Sequence, residues 1–337
     1  MTSPGSTSVS HKLVIQIPCL NEAQSLPITL ASLPRSVPGF DVVEWVIVDD
    51  GSTDETASVA RHEGADHVLS LGYNRGLAHA FMAGLEFALK RGADVIVNTD
   101  ADNQYDASCI ADLVRPITEK RALIVVGARP IRDTEHFSLT KKLLQRFGSW
   151  VVKRVSHTDI EDAPSGFRAI HREAAMRLHV FNSYTYTLET IIQAGTKGIP
   201  IVSVPVRTNP DLRPSRLVKS ISSYVWRSVL TILRIFIIYK PLRFFFIVAV
   251  ALVLPATFFV IRFLVAYAAG TGSGHVQSLV LSAILFGLAG IAAMGGILAD
   301  LIATNRLLLE DLRTRALRAE IEALNMREGM KAAARPS

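Results

Sequence analysis

The stretch Asn98-Thr99-Asp100-Ala101-Asp102-Asn103-Gln104 directly follows a largely apolar run, 93–97, that is typical of a buried parallel strand. One residue separates Asp100 from Asp102, so both side chains can point to one side of the strand end. Gln104 continues that alternation. Open α/β sheets bind ligands beyond the carboxyl ends of their strands. Oxygen ligands in such a place suit Mg²⁺ or Mn²⁺. The alternative is a polar turn in which the two carboxylates only cap the loop.

Strands and helices alternate regularly on both sides of this stretch. The alternation predicts an α/β fold: a doubly wound, mostly parallel twisted sheet with helices on both faces. A second acidic turn, Asp49-Asp50, also ends a strand, so both turns can face one crevice. The chain lacks GxGxxG after its first strand and lacks GxxxxGK[ST], which argues against a dinucleotide-binding domain and a P-loop NTPase. The predicted strands are 12–17, 42–48, 68–71, 93–97, 122–126 and 199–206, and the predicted helices are 21–33, 55–63, 77–91, 107–119 and 184–195.

Charge and hydropathy divide the chain of 337 residues into two halves. The net charge is +6, and the mean hydropathy of +0.30 comes mainly from the second half. Much of the basic excess lies between Lys197 and Arg243, beside apolar segments, which favours an anionic membrane surface over nucleic acid as a partner. The two cysteines form no CxxC motif, so the pattern excludes a disulfide scaffold and fits a reducing compartment.

Two apolar segments, 244–268 and 276–302, are each long enough to span a bilayer, which requires roughly 20 residues. Lys240 and Arg243 precede the pair and Arg306 follows it, whereas the short connection has no Lys or Arg. The positive-inside rule therefore predicts a multi-pass protein of the cell (inner) membrane with both flanks cytoplasmic.

Five motifs, in this order along the chain, resemble the family 2 glycosyltransferases, which have a GT-A fold. The last two are most similar to the polyprenyl-phosphate sugar transferases, the group of dolichol-phosphate mannose synthase and bacterial undecaprenyl-phosphate glucosyltransferases. The resemblance covers roughly residues 12–240. The motifs are Pro18-Cys19-Leu20-Asn21-Glu22, Val48-Asp49-Asp50-Gly51-Ser52-Thr53-Asp54, Asn74-Arg75-Gly76 with Ala80 and Gly84, Asp100-Ala101-Asp102-Asn103-Gln104 and Asp162-Ala163-Pro164-Ser165-Gly166-Phe167-Arg168.

The resemblance implies an inverting, Mg²⁺- or Mn²⁺-dependent glycosyltransferase. It would move a single sugar from a nucleotide-diphosphate sugar, of the GDP-mannose or UDP-glucose type, to a dolichyl or undecaprenyl phosphate at the cytoplasmic membrane face. The sequence lacks the QxxRW motif of processive family 2 synthases, which favours single transfer. The alternatives are another lipid acceptor, such as a diacylglycerol or lipid-linked saccharide, an inactive membrane scaffold, or a small transporter.

The resemblance also implies roles for individual residues. Asp102, Arg129 and Asp162 would be catalytic, and the metal ligands would be Asp100, Asp102 and Gln104. Asp162 would act as a base or orient Arg168 and the sugar, although the acceptor phosphate is already anionic. The simpler alternatives are that Asp162 caps a turn and that Arg129 forms a surface ion pair. For Glu22, the simpler alternative is that it is only a residue at the start of a helix. The implied donor-binding residues are Pro18, Leu20, Asn21, Glu22, Asp50, Asp100, Ala101, Asp102 and Gln104.

Basic side chains are candidates for binding the acceptor phosphate, because guanidinium groups pair well with phosphate. Their alternative is a solvated or membrane-facing basic surface. The candidates are Arg129, Lys141, Arg146, Arg168, Arg207, Arg213 and Arg216.

The sequence thus predicts five regions and a possible homo-oligomer. An apolar stripe in the last region, Leu308, Leu312, Ala316 and Ala319, would pack between subunits or lie on the catalytic domain. The regions are a disordered N-terminus (1–10), a GT-A catalytic domain (11–213), interfacial amphipathic helices (214–242), two transmembrane helices (243–303) and a cytoplasmic C-terminal helix and tail (304–337).

Overall fold

The structure is a computed structural model that describes residues 11–130, 153, 156, 158–180, 186–210, 234, 237–271 and 276–333. Four candidate phosphate ligands, Lys141, Arg146, Arg213 and Arg216, lie outside these residues. The predicted disordered N-terminus and most of the predicted interfacial helices lie outside them as well.

Seven strands within the described residues form one sheet in the order β3-β2-β1-β4-β6-β5-β7. β6 pairs antiparallel with β4 and β5, and the other neighbours pair in parallel. The predicted mostly parallel α/β fold is confirmed, and β7 lies at one edge of the sheet. The strands are β1 Lys12–Cys19, β2 Val42–Asp49, β3 His67–Ser70, β4 Val95–Asn98, β5 Ile124–Ala128, β6 Arg168–His171 and β7 Ile201–Pro205.

The sequence did not predict β6, because only two of its four residues, Ala169 and Ile170, are apolar. Its first three residues are nevertheless buried. β6 places the Asp162–Phe167 loop beside the end of β4, since Arg168 pairs with Asn98 in the sheet register.

Helices cover both faces of the sheet. Val14 packs with α3 residues such as Phe81 on one face, whereas Leu13 and Ile15 pack with α1 and α4 on the other. This alternation is the two-residue period of a strand buried on both sides. The helices of this layer are α1 Leu26–Ser32, α2 Thr56–His62, α3 Leu77–Lys90, α4 Ile110–Thr118, α5 Arg172–Arg177 and α6 Thr187–Thr196.

The helix predicted to begin at Asn21 begins later, at Leu26. Asn21 has a φ of 56°, in the left-handed region, which is incompatible with a right-handed helix. Its side-chain oxygen instead accepts a hydrogen bond from the backbone N–H of Thr53 at 2.8 Å. The segment after β1 is therefore an ordered loop tied to the segment after β2.

Two long helices follow, α7 Pro241–Ala268 and α8 Val276–Ala333. Both contain a stretch long and apolar enough to cross a membrane, with mean hydropathies of 2.8 and 2.1. The chain divides into two compact units, one of residues 1–225 with 313–337 and one of residues 226–312. Within the second unit, the Ser282 hydroxyl donates to the carbonyl of Ala256 at 2.9 Å.

The C-terminal part of α8 packs within the first unit. Lys90 on α3 pairs with Glu320 at 2.7 Å, and Leu317 and Ile321 join the apolar cluster around α3. The stripe predicted from sequence is a different face of the helix, because Leu308 and Leu312 are 60% and 61% exposed. The helix thus lies on the α/β unit through residues other than those predicted.

Candidate active site

The end of β4 is fixed by a buried polar network. Asn98 is fully buried, and its side-chain amide donates to the carbonyl of Gly166 and to the hydroxyl of Tyr186, both at 2.9 Å. Its side-chain oxygen accepts from the Gln16 amide at 2.9 Å. Buried polar groups with satisfied hydrogen bonds hold a unique geometry. The network therefore fixes the end of β4, from which Thr99 and Asp100 leave the strand.

Asp100 lies against the Gly166 backbone. A β-carbon at Gly166 would come within 3.0 Å of a carboxylate oxygen of Asp100 and 2.9 Å of the Tyr186 hydroxyl. The pKa of Asp100 is raised to about 7, mainly by burial and then by the nearby Asp102, although Arg129 and Arg168 act in the opposite direction. Two acidic side chains crowded in this way fit a bound cation, which would favour the ionised form of Asp100.

Asp102 and Gln104 belong to one tight turn. The backbone N–H of Gln104 donates to the Asp102 carboxylate at 3.1 Å, and Asn103 between them has a φ of 55°. Among the described residues, no group of three or more His, Cys, Asp or Glu could hold a metal. A divalent cation held by Asp100 and Asp102 would therefore take further oxygen ligands from Gln104, water or a diphosphate, as hard cations commonly do.

Arg129, directly after β5, forms a bidentate ion pair with Asp162. Its Nε and Nη2 atoms donate to the two carboxylate oxygens at 2.7 and 3.0 Å, and its backbone N–H donates to Oδ2 at 3.2 Å. Asp162 is fully buried, whereas the Arg129 side chain is 20% exposed. Burial alone would lower the pKa of Arg129, but the hydrogen bonds with Asp162 raise it above its usual value. Arg129 is thus a positively charged side chain that has a fixed orientation and is partly exposed.

Arg168 is fully buried. Its guanidinium donates to the carbonyls of Ser165 and Ala163 at 2.9 Å each, and also to the Thr190 hydroxyl. Burial lowers the pKa of Arg168 to about 10. The predicted contact of Arg168 with an acceptor phosphate is not supported, because its guanidinium is fully buried and donates to carbonyl groups of the Asp162–Gly166 loop. Its position suits holding that loop in shape.

The predicted base and ribose residues gather at the adjoining strand ends. Asp50 is 3% exposed, and its carboxylate accepts from the backbone N–H groups of Arg75 and Gly76 at 2.8 and 2.9 Å. It therefore shapes the loop that enters α3. The Asn21 backbone N–H donates to the Ser52 hydroxyl at 2.9 Å. The other predicted donor residues differ in exposure: Pro18 and Ala101 are buried, and Leu20 and Glu22 are half-buried.

Arg207 lies beyond β7, on an exposed surface. Its guanidinium donates to the Asp106 carboxylate at 2.8 Å and to the Ser108 hydroxyl at 2.7 Å. The hydrogen bond to Asp106 raises the pKa of Arg207. Arg207, one of the candidate ligands of the acceptor phosphate, is therefore an exposed cation that already pairs with Asp106.

Two buried tyrosines next to Asp100 were not predicted from sequence. The Tyr105 hydroxyl accepts from the Gly166 backbone N–H at 3.1 Å, and its ring stacks on Phe167 with centroids 5.0 Å apart. Burial, with a contribution from Asp100, raises the pKa of Tyr105 to about 12. The sequence could have indicated Tyr105 as a site residue, because it directly follows Gln104. Tyr186 lies far along the chain, and its sequence surroundings do not mark it as a site residue.

Comparison with known proteins identifies the family. Residues 14–179 match the model described as glycosyl transferase family 2. The undecaprenyl-phosphate mannosyltransferase of Micrococcus luteus is 30% identical over 200 residues, which cover 56% of this chain and 80% of the relative. The polyprenol monophosphomannose synthase of Mycolicibacterium smegmatis is 24% identical over 226 residues, covering 64% and 84%.

A solved structure has the same fold. Glucosyl-3-phosphoglycerate synthase from Mycobacterium tuberculosis, in complex with Mn²⁺, uridine-diphosphate-glucose and phosphoglyceric acid, superimposes with a TM-score of 0.51 at 20% identity. The match covers 68% of this chain and 85% of that one. The two apolar helices, together with the polyprenyl-phosphate enzymes among the relatives, indicate membrane association. The chain belongs to glycosyl transferase family 2 and is a glycosyltransferase of the kind that the polyprenyl-phosphate sugar transferases represent.

Proposed function

We propose that this protein transfers one sugar from a nucleotide-diphosphate sugar to a polyprenyl phosphate, at the cytoplasmic face of the membrane, with a divalent metal ion. The observation that carries the proposal is that two acidic side chains and one arginine lie close together at the carboxyl ends of the strands. Asp100 and Asp102 suit a metal-bound diphosphate, and Arg129 presents a fixed positive charge beside them. The mannosyl relatives favour a mannose donor.

Asp100, Asp102 and Gln104 would hold Mg²⁺ or Mn²⁺. The bound metal supplies Lewis-acid neutralisation of the charge that develops on the departing nucleoside diphosphate. Arg129 adds a positive charge at the same place, and its orientation is fixed by Asp162. The loop after β1 and the loop held by Asp50 would contact the base and ribose.

The lipid phosphate oxygen attacks the anomeric carbon as the bond from that carbon to the diphosphate oxygen breaks. Attack from the opposite face inverts the anomeric centre. The attacking oxygen is already anionic, so no proton must be removed. This fits the geometry of Asp162, whose two carboxylate oxygens already accept hydrogen bonds from Arg129. We therefore propose that Asp162 is a positioning residue rather than a general base.

The experiment uses the full chain in lipid nanodiscs with undecaprenyl phosphate and either Mn²⁺ or Mg²⁺. GDP-mannose, UDP-glucose and related donors are offered in turn, and the lipid product is analysed by mass spectrometry. A mass increase of one hexose on undecaprenyl phosphate is expected. Transfer to diacylglycerol or a lipid-linked saccharide, with none to polyprenyl phosphate, would instead establish the alternative acceptor. NMR of the product reports the anomeric configuration.

A further inference from the structure

The segment after β7 runs beside the loop that carries the metal-binding residues. The backbone N–H of Asp106 donates to the Arg207 carbonyl at 3.1 Å. Tyr105 and Thr208 form an antiparallel bridge, and the Arg207 guanidinium reaches Asp106. Residues 104–106 and 207–209 thus form a short two-stranded connection. It joins the turn after Asp102 to the segment that begins at Arg207, one of the candidate ligands of the acceptor phosphate.

Asn209 makes the most specific contacts in this connection. Its side-chain amide donates to the carbonyl of Asn103 at 2.9 Å and to that of Tyr105 at 3.3 Å. Its backbone N–H donates to the carbonyl between them, that of Gln104, at 2.9 Å. One half-buried residue therefore binds three successive carbonyl groups of the turn.

The turn needs such support because of its backbone conformation. Asn103 has a φ of 55°, which is uncommon for a residue with a β-carbon and persists where neighbouring groups hold it. The same turn places the Gln104 N–H on the Asp102 carboxylate. The other side of the loop is held by the Thr29 hydroxyl, which donates to the Ala101 carbonyl at 2.8 Å. Loss of the Asn209 side-chain amide would remove the hydrogen bonds to the carbonyls of Asn103 and Tyr105 and leave the Thr29 contact in place.

We infer that Asn209 is a positioning residue that holds the Asp102–Gln104 turn in the conformation that binds the donor metal. The inference rests on the proposed function, because it takes Asp102 and Gln104 as metal ligands. It goes further by assigning a role to a residue outside the resembling motifs. It also links the donor-metal turn to the segment that contains Arg207, a candidate ligand of the acceptor phosphate.

The test compares Asn209→Ala with Thr208→Ala. Thr208 is the neighbouring residue and is exposed. It forms the antiparallel bridge with Tyr105 through its backbone, so Thr208→Ala should keep the two segments paired. Asn209→Asp is a second variant that keeps the size of the side chain but removes the amide donors. Mn²⁺ binding is measured by the loss of the free-ion EPR signal, with UDP and with GDP present. Transfer is measured over a range of Mn²⁺ concentrations, and melting temperatures are recorded.

We expect the half-saturating Mn²⁺ concentration to rise about tenfold in both Asn209 variants and to stay unchanged in Thr208→Ala, since two hydrogen bonds are lost. Saturating Mn²⁺ should restore turnover to within about twofold of the wild type. Wild-type Mn²⁺ binding in the Asn209 variants would overturn this inference alone, as would a loss of activity that Mn²⁺ does not restore. Absence of Mn²⁺ binding by the wild type with either nucleotide would overturn the metal assignment of the proposed function and this inference with it.

Discussion

Arg129 and Asp162 form a bidentate ion pair although they lie 33 residues apart in the chain. The carboxylate is fully buried and the guanidinium is partly open. These hydrogen bonds to both oxygens of the carboxylate fix the orientation of the Arg129 guanidinium. The pair therefore presents one fixed positive charge at the carboxyl ends of the strands, close to the two acidic side chains after β4.

Asp162→Asn should reduce kcat about 10- to 100-fold, because Arg129 loses one charge-assisted hydrogen bond and its orientation. The amide oxygen can still accept one bond, so the fold should persist. The informative measurement is kcat against pH for the wild type and the variant. If Asp162 positions Arg129, both profiles should have the same shape. Loss of the acidic limb in the variant would identify Asp162 as a general base instead.

Gly166→Ala should lower Mn²⁺ affinity and turnover by about tenfold or more. The added methyl group would meet the Asp100 carboxylate at 3.0 Å and the Tyr186 hydroxyl at 2.9 Å, so Asp100 must move. Gly287→Ala is the matched control, because a β-carbon there meets nothing within 4 Å. EPR-monitored Mn²⁺ titration checks both variants. An unchanged affinity in Gly166→Ala would show that the position of Asp100 does not govern metal binding.

The melting temperature of the metal-free protein should fall by a few degrees as pH rises from about 4.5 to 8. The pKa of Asp100 is raised to about 7 in the folded protein, against about 3.9 for an unperturbed Asp. A raised carboxyl pKa favours folding at low pH, and this contribution is lost as pH rises toward 7. Asp100→Asn should weaken this trend. A wild-type trend that Asp100→Asn leaves intact would assign it to another group.

Ile321→Ala should destabilise the first unit by about 2–4 kcal/mol, as expected for a large side chain truncated in a core. Ile321 is 4% exposed and packs in the cluster around α3, whereas Leu312 on the same helix is 61% exposed. Leu312→Ala is therefore the control and should leave the melting temperature unchanged. A larger effect of Leu312→Ala than of Ile321→Ala would mean that the exposed stripe, rather than the Ile321 face, carries the packing.

The sequence predicts the strand-helix alternation and the position of Asp100 and Asp102, because both depend on local patterns. Apolar runs mark the buried strands, residue parity sets the side to which a side chain points, and the carboxyl ends of parallel strands lie on one side of the sheet. Local patterns do not predict the ion-pair partner of a charged residue. Asp162 was expected near Arg168 in its own motif, but its bidentate partner is Arg129, which β5 brings alongside. No local pattern indicates which of two arginines the sheet order will place against a carboxylate.

The sequence does not indicate which polar residues are buried either. Arg168 was predicted at a phosphate, yet β6 places it in the interior, where loop carbonyls and Thr190 satisfy it. Tyr186 and Asn98 meet although 88 residues separate them. The donor-side loops were predicted by motif, but the left-handed φ of Asn21 that delays α1 follows from its contacts with the loop after β2.

Metal-dependent sugar transfer to the lipid is the most direct test of the proposed activity. The measurement is formation of hexosyl undecaprenyl phosphate by the wild type and by Asp102→Asn, with Mn²⁺ and after its removal by a chelator. The expected result is product from the wild type with Mn²⁺, and none from Asp102→Asn or from the chelated wild type, with unchanged melting of the variant. Full activity in Asp102→Asn, or undiminished transfer in the chelator, would contradict the assignment of this turn as the donor-metal site.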